Sequence, residues 1–382
     1  MNLTYSDEQA AYAAAARHFA DEVLVPISQE FDMDEHLSAD EVQSIRSRIA
    51  GYEIATVPPT RSDGTLDLLN LGIFIEEVSR VNVGFGAIFQ ILFFPISTLT
   101  SLLTAEQREA YGYIFGSGGI ASIAVSEPNA GSNPRQMETL AEATDDGWVL
   151  NGQKLWISFA DIATGIVVAA RVRDSKDIGM FIVPSGTPGC TVATIDMLGM
   201  RASAECEVVL NDCHIPGNAR IVLPNGVQSA LELLENGRLR VIFMAVGVAR
   251  AALDLAVEYV KNLSQPGRPM EPSQLVLAQA MLADMATEVE AMRLLALRAA
   301  SLRAAGSPDA PVALSTAKAF GAEAAVRVAS TCVQIHGTIG LARGYAAERL
   351  LRDARMFTIP DGTTQIHQLM IGRHLTGISA IR

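Results

Sequence analysis

Cysteine is scarce in this sequence: the 382 residues include four, and no two of them are spaced as a CxxC pair. HExxH sequences and clusters of carboxylates with histidine are also missing, so the sequence shows no metal-binding motif. The N-terminal stretch MNLTYSDEQAAYAAAARHF is polar and acidic, whereas a secretory signal peptide begins basic and then turns apolar. These features predict a protein of the reducing cytoplasm that uses no metal.

Positive charge is scarce as well. The sequence has 29 Lys and Arg residues against 42 Asp and Glu residues, for a net charge of −13, and its basic residues form no cluster. Nucleic-acid binding requires a basic face, so we expect no nucleic-acid partner. A small anionic ligand is still compatible with this charge, because a few local arginines could hold one.

One apolar run is long enough to be considered as a membrane span. Residues 84–103, GFGAIFQILFFPISTLTSLL, match the usual length of a transmembrane helix. Gln90, Pro95 and several hydroxyl residues interrupt the run, and no Lys/Arg asymmetry flanks it. We therefore expect a buried helix that is kinked near Pro95 and able to line an apolar pocket, with a membrane helix as the alternative.

The N-terminal part of the chain, residues 1–118, is predicted to be helical. It begins with an alanine-rich run that has a cap at Ser6 and stops at Pro26. Further helices are predicted at 40–50, 66–81 and 105–115.

The hydrophobic periodicity changes from helical to strand-like near residue 118, and it returns to helical about a hundred residues later. Residues 119–226 contain the β-rich runs ASIAV, GWVLNGQKLWIS, GIVVAARV, GMFIVP and ECEVVLNDCHIP, which predict a sandwich or barrel. Residues 227–382 contain three long helical stretches, which predict a helical bundle. The expected fold is therefore an α+β multidomain protein with an N-terminal helical domain, a middle β-barrel or sandwich and a C-terminal helical bundle.

The stretch RDARMFTIPDGTTQIH, residues 352–367, contains the residue that most needs an explanation. An arginine-rich helix end runs into Pro360, Asp361 and Gly362, where the helix must break. The backbone can therefore aim the Asp361 carboxylate at a site, although an ordinary Asp-Gly turn would have the same sequence.

Several further motifs span nearly the whole chain in a fixed order. IAVSEPNAGSNP at 123–134 is similar to TEPxAGSD, and GWVLNGQKLWIS at 147–158 is similar to NGxKxWITN. The stretches LGMRASAECEVVLNDCHIP, LENGRLRVIFMAVGVARAALDLAVEY, QIHGTIG and RDARMFTIPDGTTQIHQLM continue the resemblance. On these motifs the chain is identified as a member of the acyl-CoA dehydrogenase family.

This resemblance implies a fold, a cofactor and a reaction. The fold would have an N-terminal helical domain, a middle β domain and a C-terminal four-helix domain, with FAD between the last two and usually a homotetrameric assembly. The reaction would be α,β-dehydrogenation of an acyl thioester, in which a carboxylate removes the α-proton and the β-hydrogen leaves as hydride to the flavin N(5). The electrons would then usually pass to an electron-transferring flavoprotein.

The same resemblance implies two catalytic residues. Asp361 falls where the family motif YEGT has its glutamate, so it would be the base. Removing a proton beside a carbonyl requires a base that is aligned with the C–H bond. Arg238 matches an arginine near the acyl-CoA and the base; the alternative is a solvated arginine at a helix start, beside Arg240.

For the flavin ring, the resemblance implies residues of the β domain. Ser126 stands where a family threonine bonds the isoalloxazine ring, and Ser158 stands where a hydroxyl residue lies close to N(5). Trp156 matches a tryptophan that packs by the ring, although a tryptophan here could equally be plain core. Ser132 matches a serine near the pyrophosphate.

For the adenosine part of FAD, the resemblance implies Thr363 and Gln334, the latter from a neighbouring subunit. Gln274 matches a glutamine with a similar role, and for both glutamines a surface or helix-packing role is an open alternative. The complete expected cofactor-binding set is Val125, Ser126, Ser132, Trp156, Ile157, Ser158, Gln274, Gln334, Gly337 and Thr363.

The sequence departs from the family pattern around the base and the cofactor. Asp361 is one methylene shorter than glutamate, which withdraws the carboxylate by about 1.5 Å, and Pro360 replaces the usual aromatic residue before it. Phe159 replaces the asparagine of WITN. An arginine that reaches the FAD pyrophosphate is lost at 263–266, so weaker FAD binding is expected unless Arg268 compensates.

These departures leave the substrate and the chemistry open. The acyl group could be bound to CoA or to an acyl carrier protein. An aspartate base is similar to that of nitroalkane oxidases, which would make the chain a flavin oxidase or monooxygenase, but an arginine of that branch is replaced by Gln368. The remaining alternative is an inactive member that serves as partner subunit of an active relative.

Overall fold

A computed structural model describes residues 5–31, 33, 35–94, 102–116, 118–133, 136–173, 175, 178–223, 227–263 and 271–379. The described chain begins with helices, continues with a β-sheet and ends with long helices. This order confirms the predicted α+β class.

The N-terminal helices are α1 (Asp7–Phe19), α2 (Val25–Glu30), α3 (Ala39–Ile49), α4 (Glu53–Thr56), α5 (Leu68–Val81), α6 (Val83–Phe94) and α7 (Ala105–Phe115). α1 begins with a capping box, in which the Ser6 side chain accepts from Gln9 N and the Gln9 side chain accepts from Ser6 N. The helices predicted at 40–50, 66–81 and 105–115 are confirmed as α3, α5 and α7.

The predicted stop at Pro26 is wrong. A π-helical turn, Ala20–Leu24, connects α1 to α2, and Pro26 lies in the first turn of α2. Proline is compatible with that position, because the first N–H groups of a helix have no intrahelical partner.

The part of the apolar run before Pro95, residues 84–94, lies in the helix α6, as expected. Phe85, Phe89 and Phe93 of α6 are buried, and the ring of Phe89 meets that of Phe74 edge-on at a centroid distance of 4.8 Å. None of the helices in the described ranges has the length and apolar character of a membrane crossing. The kink predicted near Pro95 falls outside the described residues.

The strands are β1 (Ala121–Ala124), β2 (Leu140–Ala143), β3 (Gly147–Ser158), β4 (Gly165–Val172), β5 (Ile178–Pro184), β6 (Cys190–Ile195), β7 (Glu205–Pro216) and β8 (Arg220–Ile221). Their order in the sheet is β6-β7-β3-β2-β4-β5-β8, and β1 pairs with β4. The five predicted strands are confirmed as β1, β3, β4, β5 and β7. Strands β2, β6 and β8 were not predicted, because they are short and lack a clear apolar alternation.

The long antiparallel pair of β3 and β7 contains a bulge. Its register shifts between Lys154 and Ile157, and Trp156 within the shift has a φ of 64°. A positive φ is unusual for a bulky residue, and a bulge of this kind re-aims a side chain. Trp156 is accordingly 52% exposed while Ile157 is buried. At the end of the pair, Ser158 lies opposite Glu205.

The C-terminal helices are α8 (Val227–Leu263), α9 (Pro272–Ala304), α10 (Ala310–His336), α11 (Ala346–Met356) and α12 (Thr364–Thr376). α8, α9 and α10 pack against one another, and α11 and α12 pack on α10, which confirms the predicted bundle. α5 packs along α8, where Arg250 donates a hydrogen bond of 2.8 Å to the buried Glu77. This ion pair joins the N-terminal helices to the bundle.

Candidate functional site

Asp361, the predicted base, lies on the turn between α11 and α12. α11 ends at Met356, and α12 begins after Thr363, whose side chain accepts a hydrogen bond from Ile366 N. Asp361 and Gly362 have φ values of 55° and 101°. Aspartate tolerates the left-handed region better than most residues, and glycine adopts it freely. The Pro-Asp-Gly sequence therefore ends one helix sharply and places the Asp361 carboxylate outside both helices.

Basic side chains from two helices bind the carbonyl oxygens of this turn. Arg238 Nε, on α8, donates to the carbonyl oxygen of Asp361 at 3.1 Å. Lys318 Nζ, on α10, donates to the carbonyl oxygens of Phe357 and Gly362 at 2.5 Å and 3.2 Å. Arg238 lies in the second half of the first third of α8, which begins at Val227, and not at a helix start; its side chain is half-buried and bonds to the turn. Because these bonds use backbone oxygens, they fix the turn and leave the carboxylate available.

His367 contacts the same turn as a neutral imidazole. Its Nε2 lies 3.2 Å from the carbonyl oxygen of Asp361. Burial, together with the charges of Lys318 and Arg238, lowers the pKa of His367 to about 4. At neutral pH, the tautomer that carries its proton on Nε2 donates to that oxygen.

Cations surround the Asp361 carboxylate. Burial raises the pKa of Asp361 above its ordinary value, and the charges of Lys318, Arg238 and Arg240 oppose this effect. Burial also lowers the pKa of Lys318 to about 8 and that of Arg240 to about 10. The carboxylate lies against the backbone of α8, since a Cβ built on Gly237 would be 3.2 Å from its Oδ2 atom. The site thus combines a desolvated carboxylate, which favours proton uptake, with cations that favour its ionised form.

A second carboxyl group lies close to Asp361. Ser158 Oγ donates a hydrogen bond of 2.8 Å to Glu205 Oε1, at the end of the β3–β7 pair. Burial raises the pKa of Glu205 to about 7; the bond from Ser158 opposes this effect and the negative charge of Asp361 adds to it. The end of the β3–β7 pair is therefore near enough to the Asp361 turn for the charge of Asp361 to act on Glu205.

The segment that contains Val125 and Ser126 is fixed against β3. Leu155 N donates to the carbonyl oxygen of Ser126 at 3.0 Å, and Lys154 Nζ donates to that of Val125 at 3.1 Å. Lys154 also pairs with Glu127 at 2.8 Å, and both side chains are buried. A buried ion pair is costly to break, so this contact stabilises the segment beside the β3 bulge.

Val125, Ser126, Trp156 and Ser158, called the β3 cluster below, lie together along this strand. The exposure of Trp156 shows that its interpretation as plain core is wrong. The side chain of Ile157 is buried, which leaves only its backbone for a ligand. An exposed indole on a strand that also carries, or lies beside, hydroxyl residues is suited to a planar ring that has polar edges.

The other predicted cofactor residues lie apart from the β3 cluster. Ser132 is exposed in the loop after β1, and Thr363 caps α12. Gln274 is exposed at the start of α9, and Gln334 and Gly337 are exposed at the end of α10. Within the described part of the chain, no hydrogen bond links these five residues to the β3 cluster.

Sequence patterns do not identify three side chains of this site. Lys318 lies in an alanine-rich helix, 44 residues before Gly362, and its charge in an apolar run is the only signal. Glu205 lies inside one of the family-like stretches, where a charge at the start of a β-rich run has no evident partner. His367 is visible in the sequence, but a lone histidine is more often an ordinary core residue.

Comparison with known protein families gives three matches. The models of the N-terminal, middle and C-terminal domains of acyl-CoA dehydrogenase match residues 6–117, 122–213 and 224–376. The chain is also 36% identical over 368 residues to the mitochondrial short-chain specific acyl-CoA dehydrogenase of Bos taurus, which covers 94% of this chain and 88% of that protein.

Two solved structures show the same fold. A glutaryl-CoA dehydrogenase from Mycobacterium smegmatis in complex with FADH2 matches with a TM-score of 0.85 at 26% identity, over 99% of this chain and 97% of the other. The butyryl-CoA dehydrogenase from Megasphaera elsdenii matches with a TM-score of 0.82 at 28% identity, over 98% of this chain and 100% of the other.

Proposed function

Because this chain belongs to the acyl-CoA dehydrogenase family of FAD-dependent oxidoreductases, we propose that it dehydrogenates an acyl thioester with Asp361 as the base. FAD is its cofactor. The observation that carries the proposal is the placement of the Asp361 carboxylate, on a turn whose backbone is bound by Arg238 and Lys318. A base fixed in this way can meet a C–H bond in a constant geometry.

The β3 cluster and Ile157 are assigned to the flavin ring. The exposed indole of Trp156 can pack beside the ring, and the hydroxyl groups of Ser126 and Ser158 can bond to its polar edge. Val125 and Ile157 offer their backbone groups. When bound, the flavin supplies the acceptor of the hydride.

Protein groups determine how the α-proton is removed. Asp361 must be ionised to accept a proton, and its cationic neighbours favour that form against the effect of burial. Once the proton has arrived, the carboxyl group is neutral and its attraction to the cations is lost. The bonds from Arg238 and Lys318 go to carbonyl oxygens, so they hold the turn equally well in both protonation states.

The acyl group is assigned to CoA or to an acyl carrier protein. Pro360 and the short Asp361 side chain replace larger residues of the family pattern, which favours a specialised thioester. Turnover of one acyl group on CoA and on a carrier protein separates the two versions, and a clear preference for CoA would reject the carrier-protein version.

The chain is assigned to a homo-oligomer, a dimer or tetramer, in which Gln334 reaches the FAD of a neighbouring subunit, Gln274 has a similar role and Gly337 also binds the cofactor. These residues are exposed and stand close in sequence to the apolar side chains of Leu277 and Leu341, which are 66% and 70% exposed. Exposed apolar surface of this kind is often covered by a partner. Light scattering of the holoenzyme tests the assignment, and a monomer would contradict it.

Ser132 is assigned to the pyrophosphate of FAD, and Thr363 is assigned to its adenosine part.

An electron-transferring flavoprotein is assigned as the electron acceptor, in a reducing cytoplasm. All four cysteines are free thiols in the described residues, which suits that compartment. Reduced enzyme that persists in air and is reoxidised by such a flavoprotein would support the assignment. Rapid reoxidation by oxygen, with hydrogen peroxide as product, would favour an oxidase instead.

The visible spectrum of the purified protein tests the proposed dehydrogenation. It is recorded without oxygen, before and after addition of a panel of short and branched acyl-CoA thioesters and their carrier-protein counterparts. Bleaching of the flavin by one of them is the expected result. A yellow protein that no thioester bleaches would contradict the proposal.

A further inference from the structure

The hydroxyl group of Ser158 is fixed in place, but the direction of its proton is not. The Ser122 hydroxyl donates to the carbonyl oxygen of Ser158 at 2.8 Å, and Phe159 N donates to that of Ala204 at 2.7 Å. The first bond ties the end of β3 to β1 and the second ties it to the start of β7, so Ser158 Oγ stays 2.8 Å from Glu205. The O–H bond can still rotate toward Glu205 or away from it.

The protonation state of Glu205 decides between these directions. An ionised carboxylate only accepts hydrogen bonds, so Ser158 must then donate to Glu205 and can only accept from a third group. A protonated carboxyl group can donate to Ser158, and the hydroxyl proton is then available to a third group. One proton on Glu205 therefore changes Ser158 from an acceptor into a donor toward a bound ligand.

The negative charge of Asp361 acts on Glu205. It approaches from the turn before α12 and is itself surrounded by Arg238 and Arg240 of α8 and Lys318 of α10. On β6, the apolar Ile195 lies opposite Glu205.

The loop after β3 contains a further charged group, Asp161, which lies beside Cys206, the residue that follows Glu205 on β7. Asp161 accepts a weak hydrogen bond from the Cys206 thiol and pairs with His36 at 2.8 Å. Asp161 is thus bound by Cys206 and His36, and Asp361 is the neighbour of Glu205 whose charge changes during the proposed reaction.

We propose that Glu205 is a positioning residue, which sets the direction of the Ser158 hydroxyl toward the bound flavin and responds to the charge on Asp361. This role rests on the proposed function, which places the flavin beside Ser158. When Asp361 accepts the α-proton, its negative charge disappears and Glu205 becomes a stronger acid. Proton uptake at Asp361 therefore favours release of a proton from Glu205 to solvent, and Ser158 then donates to Glu205.

The visible spectrum of the oxidised holoenzyme, without substrate, reports on this change. It is recorded from about pH 5 to about pH 9 for the wild type, Glu205→Gln and Glu207→Gln. Glu207 is the matched control, because it lies on the same strand and accepts a hydrogen bond from the exposed Gln153. The wild type and Glu207→Gln should show one spectral step near neutral pH, and Glu205→Gln should show none. A step that persists in Glu205→Gln would overturn the proposal.

A second variant keeps the test decisive if Glu205→Gln loses its flavin. Asp361→Asn leaves Glu205 in place and removes the neighbouring negative charge, so its spectral step should move to lower pH. An unchanged step would contradict the coupling. The wild-type reaction with thioesters separates a failure of the proposed function from a failure of the Glu205 role. If thioesters bleach the wild-type flavin but Glu205→Gln titrates like the wild type, only the role of Glu205 fails.

Discussion

Arg238 donates its Nε hydrogen bond to the carbonyl oxygen of Asp361, at 3.1 Å, and so binds the backbone of the proposed base. Lys318 binds the carbonyl oxygens of Phe357 and Gly362 in the same manner. Two helices of the bundle therefore fix the turn, while the carboxylate stays available to substrate. A short aspartate can serve as base under these conditions, because the backbone and not the side chain sets its position.

Lengthening the base should slow the reaction. The Asp361 carboxylate already lies against Gly237, and its left-handed backbone suits aspartate better than glutamate. Asp361→Glu should therefore bind flavin normally and reduce it about a hundredfold more slowly. Anaerobic stopped-flow absorbance measures this rate. Asp212→Glu is the control, since Asp212 also has a positive φ, of 49°, but is exposed on β7. A rate for Asp361→Glu at or above that of the wild type would reject the steric argument.

Removing Lys318 should affect both stability and pH dependence. Lys318→Met leaves the carbonyl oxygens of Phe357 and Gly362 without this donor, so the free energy of unfolding should fall by about 1–3 kcal/mol. The lysine charge lowers the pKa of Asp361, so its loss should raise that pKa and move the acidic limb of flavin reduction to higher pH.

Lys261→Met, at an exposed lysine of α8, is the control for Lys318→Met. The comparison is made below about pH 8, where Lys318 itself is still protonated. Thermal unfolding and the pH profile of flavin reduction are the two measurements. An acidic limb that stays where it is in the wild type would show that Lys318 has no electrostatic effect on the base.

Breaking the buried pair of Lys154 and Glu127 should destabilise the part of the site that is proposed to bind the flavin. Glu127→Gln should lower the free energy of unfolding by about 3–5 kcal/mol, because the Lys154 charge remains buried without its partner. Flavin should also bind more weakly, since Glu127 and Lys154 position the Val125 and Ser126 segment. Denaturant unfolding and flavin release check both effects.

Glu142→Gln on β2 provides the control for that experiment. Glu142 pairs with Arg173 on the surface, and an exposed pair contributes at most about 1 kcal/mol. If Glu127→Gln were no more destabilising than Glu142→Gln, the buried pair would not have the structural role assigned to it.

The sequence predicts the local turn that presents Asp361 better than it predicts the distant side chains that pack around that turn. Pro360, Asp361 and Gly362 impose a turn by local chemistry alone, and the structure has that turn. The contact of Lys318 with Gly362 joins residues 44 positions apart through the packing of α10 on α12, which no local pattern encodes. The exposure of Trp156 likewise depends on a bulge between two strands, and a tryptophan in a β-rich run otherwise predicts core.

The proposed role of Asp361 as the base is tested by the rate at which a bleaching thioester reduces the flavin without oxygen, compared between the wild type and Asp361→Asn. Asparagine keeps the size of the side chain and cannot accept the α-proton. Asp361→Asn should retain its yellow flavin and bind the thioester, but it should not reduce the flavin at a measurable rate. Reduction at the wild-type rate would contradict the assignment of Asp361 as the base.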